Sequence, residues 1–318
     1  MNQTTQPPKI SPFLGLSFGV LAVSTASIFI RFAQEEVASI VVAAYRLSIA
    51  AIVLAVIVLV KYRSDLKKLT RREIWLTFMA GLFLAIHFAA WITSLQYTTV
   101  VSSVVLVTTT PLWVAIAAPL TIKEPITRMI AIGLLIAMVG TFVVGLSDAC
   151  AFAEVVMCPP IGEFVQGTAF LGDLLALIGA WVAAGYVIIG RSVRERMEVV
   201  PYIFLVYGFA AIILIGMAVF SGQPLTGFSR DSYLWLALLG LVPQLIGHSI
   251  YNWSLGYLPA AFVAVTLLGE PIGTSILAFL VLDETPGWVK LVGGALILGG
   301  ITIASLKPAR DGGKSKIG

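Results

Sequence analysis

Ten stretches of roughly 20 apolar residues, separated by short polar turns, run the length of this chain. That length is what an α-helix needs to cross the hydrocarbon core of a bilayer. In lipid, every backbone polar group must find its partner within the protein, which favours helices or closed barrels. The spacing predicts helices near 12–31, 38–60, 74–96, 100–120, 128–146, 169–190, 199–220, 232–255, 260–282 and 287–306. Continuous apolar runs such as Ile49 to Val60 exclude the alternating pattern of a membrane strand. Charged residues make up only 11% of the chain, against about a quarter in soluble domains, too few to cover a water-facing surface. The expected fold class is therefore all-α integral membrane, with ten transmembrane helices. Tyr97-Thr98-Thr99 and Gly256 to Pro259 are tight turns, so the helices they join are antiparallel neighbours.

The basic residues orient these helices. With the N-terminus in the cytoplasm, the inner side receives sixteen Lys and Arg residues, including the block Lys61, Arg63, Lys67, Lys68, Arg71 and Arg72. The outer side receives three, Arg31, Arg230 and Lys290, while Arg46 falls within a helix. This bias predicts a multi-pass protein of the plasma (inner) membrane with both termini cytoplasmic. The net charge of +4 reflects this orientation and is no signal for nucleic acid. Met1 to Lys9 is polar, and no small-residue cleavage site follows the first apolar stretch, so that stretch is expected to remain as a helix. The longest outer loop, 147–168, lacks Lys and Arg and holds both cysteines, Cys150 and Cys158. An oxidising outer compartment would permit a disulfide between them; the other reading is two free thiols in the loop.

Sliding the chain on itself by 160 residues reveals a repeat. Ser94-Leu95 and Tyr97 fall on Ser254-Leu255 and Tyr257. Pro111 falls on Pro271, Glu124 on Glu284, Gly133 on Gly293 and Gly140 on Gly300. Between Ile86 and Leu146 no gap is needed, and about one position in five is identical. The expected organisation is a tail (1–11), a first five-helix repeat (12–146), an outer loop (147–168), a second five-helix repeat (169–306) and a tail (307–318). An odd helix count makes the second half enter the membrane from the opposite side. Inverted repeats are the architecture of many secondary transporters, in which a site between the halves faces each side in turn.

At these residues the chain resembles a known family. Thr110-Pro111-Leu112-Trp113 and Lys123-Glu124-Pro125 in the first half are matched in the second by a set of motifs. These are Leu171-Gly172-Asp173-Leu174-Leu175-Ala176, Gly269-Glu270-Pro271, Asp283-Glu284-Thr285 and the glycine-rich run Gly293 to Gly300. Together they resemble the EamA-type permeases of the drug/metabolite transporter superfamily, over roughly residues 12 to 306. The resemblance implies a ten-helix exporter or exchanger of amino acids, metabolites or drug-like compounds.

Ionisable groups at membrane depth are costly, so the few present are the candidate substrate-binding residues. Glu270 lies directly before Pro271, where proline disturbs the helix. It either binds a cationic group or a proton, or forms a neutral hydrogen bond to a neighbouring helix. Arg46 either snorkels outward or binds a carboxylate, from Glu270 or from a substrate. His87 and Trp91 share a helix face, as do His248, Tyr251 and Asn252 in the equivalent helix of the other repeat, with Gln244 one turn earlier. Such polar-aromatic faces suit a pocket for an amphipathic molecule, and equally suit packing. Trp181, Tyr186 and Trp113 either complete that lining or pack. Gly133, Gly140, Gly293, Gly294, Gly299 and Gly300 mark the fifth and tenth helices as close-packing elements, with a dimer interface one possible use. Glu124 and Glu284, at segment ends, are expected to cap or pair near the membrane surface.

These features favour a secondary transporter. The P-loop pattern is absent, so nucleotide hydrolysis is not expected. No nucleophile–base motif or metal-ligand spacing points to an enzyme or a metal centre, and no cofactor is expected. The expected partners are a small-molecule substrate and the lipid bilayer, not nucleic acid, with the chain acting as monomer or homodimer. A lipid or polyprenyl carrier of the same fold is the alternative.

Overall fold

A computed structural model describes residues 10–98, 100–149, 151–152, 156–157, 168–282 and 287–305. Among these the chain forms a helical bundle. Six helices are long and apolar enough to cross a membrane. They are α1 (Pro12–Ala33), α2 (Ser39–Lys61), α3 (Arg71–Tyr97), α6 (Thr168–Arg194), α7 (Val199–Phe220) and α8 (Arg230–Ser254). Four further segments contain shorter apolar helices. These are α4 (Val100–Val107 and Thr110–Thr121), α5 (Arg128–Ala149), α9 (Ala260–Thr266 and Glu270–Leu282) and α10 (Trp288–Ser305). Outside them lie a one-turn surface helix, Arg63–Lys67, and a two-residue ribbon pairing Ala151–Phe152 with Val156–Met157. The outer surface is apolar where lipid would lie: Leu120 is 81% exposed and Phe142 61%. Cys150, Cys158 and Glu284 fall outside the described residues.

Several segments are not the unbroken helices their apolar runs predict. α1 is interrupted at Thr25, whose hydroxyl turns back to the Ala22 carbonyl at 2.8 Å. α4 breaks before Pro111. Proline has no N–H to offer the carbonyl one turn back, and the Thr110 hydroxyl donates to that Val107 carbonyl instead, at 2.8 Å. In α9 a 3₁₀ turn, Leu267–Gly269, precedes a fresh helix opening at Glu270-Pro271, where a missing N–H costs nothing. α8 widens into a π-helical stretch, Gly240–His248, that contains Pro243.

Packing follows the 160-residue repeat. α1 lies against α8 and α3 against α6, while α2 packs on α7 and α5 on α10. Glycines set the closest approaches. A Cβ added to Gly140 would lie 2.6 Å from the Gly293 carbonyl, and one on Gly300 would lie 2.5 Å from that of Gly133. The repeat shift converts each of these contacts into the other. A Cβ on Gly19 would meet the Gly247 carbonyl at 3.6 Å, and its counterpart on Gly179 the His87 carbonyl at 3.6 Å. α5 and α10 thus serve as packing elements, against each other within one chain. Gly299 faces open space and takes no part.

Polar clasps join the segment ends. The Glu124 carboxylate accepts from Arg191 Nε at 2.5 Å and from the Ala260 backbone N–H, at the start of α9, at 3.0 Å. Arg191 also donates to the Leu255 carbonyl at 3.0 Å. Glu124 therefore both caps and pairs, as its position at a segment end predicts. At the opposite end of the bundle, Glu36 accepts from the Ser229 N–H at 2.9 Å and from the Ser232 hydroxyl at 2.6 Å, next to the N-terminus of α8. These bonds hold the Glu36 carboxyl below its ordinary pKa, with the Ser232 hydroxyl the largest cause.

Replacing Gly140 with leucine should lower the melting temperature of the purified protein, by an overpacking cost of about 1–3 kcal/mol, while Gly299→Ala should leave it unchanged. Glu36 binds its proton more weakly when folded than when unfolded, so its contribution is present at neutral pH and fades as acid protonates the carboxylate. Glu36→Gln should therefore melt earlier than wild type at neutral pH, and the difference should shrink below about pH 4. Melting curves across pH check this.

Candidate functional site

At the centre of the bundle sits a charge. Arg46 of α2 is 0% exposed, so its stem does not snorkel to either interface. Its Nε donates to Gln244 Oε1 in the π-helical part of α8 at 2.8 Å. Its guanidinium carbon lies 4.1 Å from the ring centre of Phe88 and 5.9 Å from that of Trp91, both on α3. Cations are attracted to the negative faces of such rings. Both terminal nitrogens, Nη1 and Nη2, are buried without a hydrogen-bond partner among the described residues.

Around the guanidinium, the two polar-aromatic faces meet. The His87 and Trp91 rings stack at 6.0 Å with 16° between their planes. Phe88 bridges the repeats, with its ring edge-on to His248 at 5.3 Å, and His248 in turn meets Tyr251 at 6.2 Å. His87 Nδ1 lies 2.9 Å from the Gly179 carbonyl of α6. A carbonyl only accepts, so Nδ1 carries a proton and Nε2 faces away from that bond. Among the described residues, the Trp91 indole N–H and the Tyr251 hydroxyl are buried without partners.

Glu270 opens the second half of α9 and is 7% exposed, with Oε1 unpartnered. It lies within electrostatic range of Arg46 and of Tyr251. Among the described residues, however, no ion pair of 4 Å or less joins it to Arg46. Its own backbone carbonyl accepts from Ser24 Oγ, beside the break in α1, at 3.2 Å. Asn252 of α8 donates to the Tyr186 hydroxyl, to the Tyr207 hydroxyl at 3.3 Å and to the His248 carbonyl at 2.7 Å, leaving Oδ1 unpartnered. This amide ties α6 and α7 to the wall of the site.

The structure thus gathers Arg46, His87, Trp91, Tyr186, Tyr251, Asn252 and Glu270 into one buried region, with His248 half-buried beside Phe88. Trp181 does not join them. It is 59% exposed on the outer face of α6, edge-on to Trp113 at 5.1 Å. Trp181 and Tyr186 are five residues apart, which turns their side chains to different faces of one helix. Phe88 and Tyr207 belong to the region without having been singled out by sequence. Phe88 adjoins His87 and shares a face with Trp91 at i, i+3, a signal that was available. Tyr207 lies in a helix apolar on every side, which offers none.

The region combines a buried charge with open donors, a separate buried carboxylate and aromatic walls. The sequence model of the EamA-like transporter family matches residues 11–146 and again residues 170–306, nearly the whole chain. The chain belongs to the EamA-like transporter family. An uncharacterized transporter of Archaeoglobus fulgidus is 24% identical over 297 residues, covering 92% of this chain and 96% of the relative. A second, from Synechocystis, is 27% identical over 271 residues, covering 79% and 72%. One solved crystal structure superposes with a TM-score of 0.72 at 19% identity, covering 93% of this chain and 96% of the other, and establishes the likeness of fold. This EamA-like protein is accordingly a membrane transporter, embedded in a lipid bilayer, with its buried polar residues between the two matched halves.

Asn252→Ala should cost about 1–3 kcal/mol of stability, because it strands the Tyr186 hydroxyl in the interior and leaves that of Tyr207 with its contact to Ser249 Oγ. Trp181→Ala should leave both stability and transport near wild type, since its ring lies outside the site. Thermal melts and transport assays on the two variants check both outcomes.

Proposed function

We propose that this EamA-like protein is a secondary transporter working by alternating access, an exporter or exchanger of amino acids, metabolites or drug-like small molecules. In this reading the six long helices and four shorter segments make ten membrane crossings, arranged as two inverted five-helix repeats over 12–146 and 169–306. Both termini are cytoplasmic and the membrane is the plasma membrane, in keeping with the asymmetry of Lys and Arg.

The observation that carries the proposal is the exchange symmetry of the contacts. Gly133 against Gly300 becomes Gly293 against Gly140 under the repeat shift, and Gly19 against Gly247 becomes Gly179 against His87. Two halves related in this way can trade conformations, so a chamber between them opens to one side and then to the other. The Arg191–Glu124 clasp joins α6 to the ends of α4, α8 and α9, and would have to part as the inner side opens.

Glu270, Arg46, His87, Trp91, Tyr186, His248, Tyr251 and Asn252 form the substrate chamber in this reading. So few acidic groups lie at membrane depth that transport is facilitated or weakly coupled. Cys150 and Cys158 lie outside the described residues; a disulfide between them would give a mobility shift on reduction, and two free thiols would give none.

Counterflow in proteoliposomes, screening amino acids, amines and nucleosides with and without a pH gradient, should identify an accumulated solute. Glu270→Gln and Trp91→Ala should each reduce its initial rate at least about tenfold while the protein still inserts and purifies, the scale expected for losing one contact to a charged or aromatic group. Normal rates in both variants would remove the proposed chamber. Failure of every solute to exchange would remove the transport reading, and selective movement of lipid would point to a lipid carrier of the same fold.

A further inference from the structure

The connection between α2 and α3 carries six basic side chains within twelve residues: Lys61, Arg63, Lys67, Lys68, Arg71 and Arg72. All six are exposed. The carboxylates nearby do little to cancel them. Glu73 is folded back onto the Thr70 N–H at 2.8 Å, closing a capping box at the start of α3. Asp65 reaches Lys68 at 3.8 Å, with both side chains exposed, where such a pair is weak. Glu198, just before α7, lies beside the Tyr62 hydroxyl. Among the described residues, Lys61, Arg63, Lys67, Arg71 and Arg72 have no ion-pair partner within 4 Å.

Apolar side chains bracket the patch and fix its depth. Leu59 and Val60 at the end of α2 are exposed, and so are Ile74 and Trp75 near the start of α3. In a lipid-embedded bundle, exposed apolar residues on spanning helices meet lipid, and Trp favours the interface. The basic residues between them therefore lie at headgroup level. The repeat supplies an internal comparison. The connection between α7 and α8, 221–229, holds the equivalent place in the second half and contains no charged residue. A turn joining two such helices does not itself require charge.

We propose that the 61–72 connection is a docking surface for anionic phospholipid headgroups, with Lys67, Arg71 and Arg72 holding the lipid phosphate at the rim of the bundle. Each Lys or Arg near an anionic bilayer surface adds attraction, and salt screens it. Guanidinium groups match the oxygens of a phosphate in pairs. The surface rests on the protein's place in a bilayer and is separate from the central chamber, whatever that chamber carries.

The test uses the purified full chain in uncharged detergent micelles, so orientation during insertion plays no part. Phosphatidylglycerol and phosphatidylcholine with identical acyl chains are titrated in, and melting temperature is read. Phosphatidylglycerol should stabilise saturably and more than phosphatidylcholine, and most of the excess should vanish at about 0.5 M salt. Combining Lys67→Gln, Arg71→Gln and Arg72→Gln should weaken the phosphatidylglycerol response at least about tenfold while leaving that to phosphatidylcholine unchanged. Arg71→Lys with Arg72→Lys should retain most of it. If the triple variant does not purify, Lys67→Gln alone should still weaken the response by a few-fold. The control removes three other exposed basic residues at the same end of the bundle, through Lys123→Gln, Arg128→Gln and Arg196→Gln, and should keep the response. Equal stabilisation by the two lipids would overturn the proposal. Equal losses in the two triple variants would do so too, since net charge alone would then explain them. Stabilisation by free glycerol 3-phosphate as strong as by phosphatidylglycerol would mark a soluble-phosphate site instead. None of these outcomes bears on carriage, which counterflow decides separately.

Discussion

A guanidinium buried in a lipid-embedded bundle has nowhere to place its charge except in contacts the bundle supplies. Arg46 meets that constraint in part, through Gln244, the face of Phe88 and the nearby Trp91. Hydrocarbon offers no hydrogen bonds, so an arrangement that leaves Nη1 and Nη2 without partners is costly unless something occupies them during the working cycle. The rest of the centre is organised around that cost. The π-helical stretch of α8 carries Gln244 to the guanidinium, and the break in α9 places Glu270 at the start of a helix, with no ion pair to Arg46 among the described residues.

Under the proposed alternating access, the two halves would move as blocks. α5 and α10 touch through glycine backbones, and α2 packs on α7, so the repeat-related pairs meet at its middle. α1 with α8 and α3 with α6 form the flanks, where each half interleaves with the other. The Glu124–Arg191 and Glu36–Ser232 clasps fasten the ends, while Arg46–Gln244, His87–Gly179 and Asn252–Tyr186 join helices at the centre.

Much of this was legible in the sequence for identifiable reasons. Apolar length located the helices, because lipid leaves little freedom in where a span begins and ends. Duplicated Gly, Pro and Glu located the repeat, since these residues do not coincide by apolar composition alone. The pairing of His87 and Trp91 with His248 and Tyr251 followed from helix geometry. His248 sits one position out of repeat register with His87, and the widened π-helical turn that ends there gives a physical reason that it still meets Phe88. Other features left no trace. A helix apolar all round does not say which face looks inward, so Trp181 was expected beside Tyr186 and lies outside instead. For the same reason Tyr207 went unnoticed. The break at Thr25 carries neither proline nor glycine, and nothing local announces it.

Inversion of one half relative to the other is what turns a duplicated bundle into a carrier, and sidedness tests it most directly. Lys61 and Ser221 are repeat equivalents, each exposed just where a helix ends. Single cysteines at these positions, in a background with Cys150 and Cys158 replaced by alanine, can be labelled with an impermeant maleimide on intact cells. The account predicts that a cysteine at 221 reacts from outside while one at 61 reacts only after permeabilisation. Equal labelling of both from the same side would contradict it.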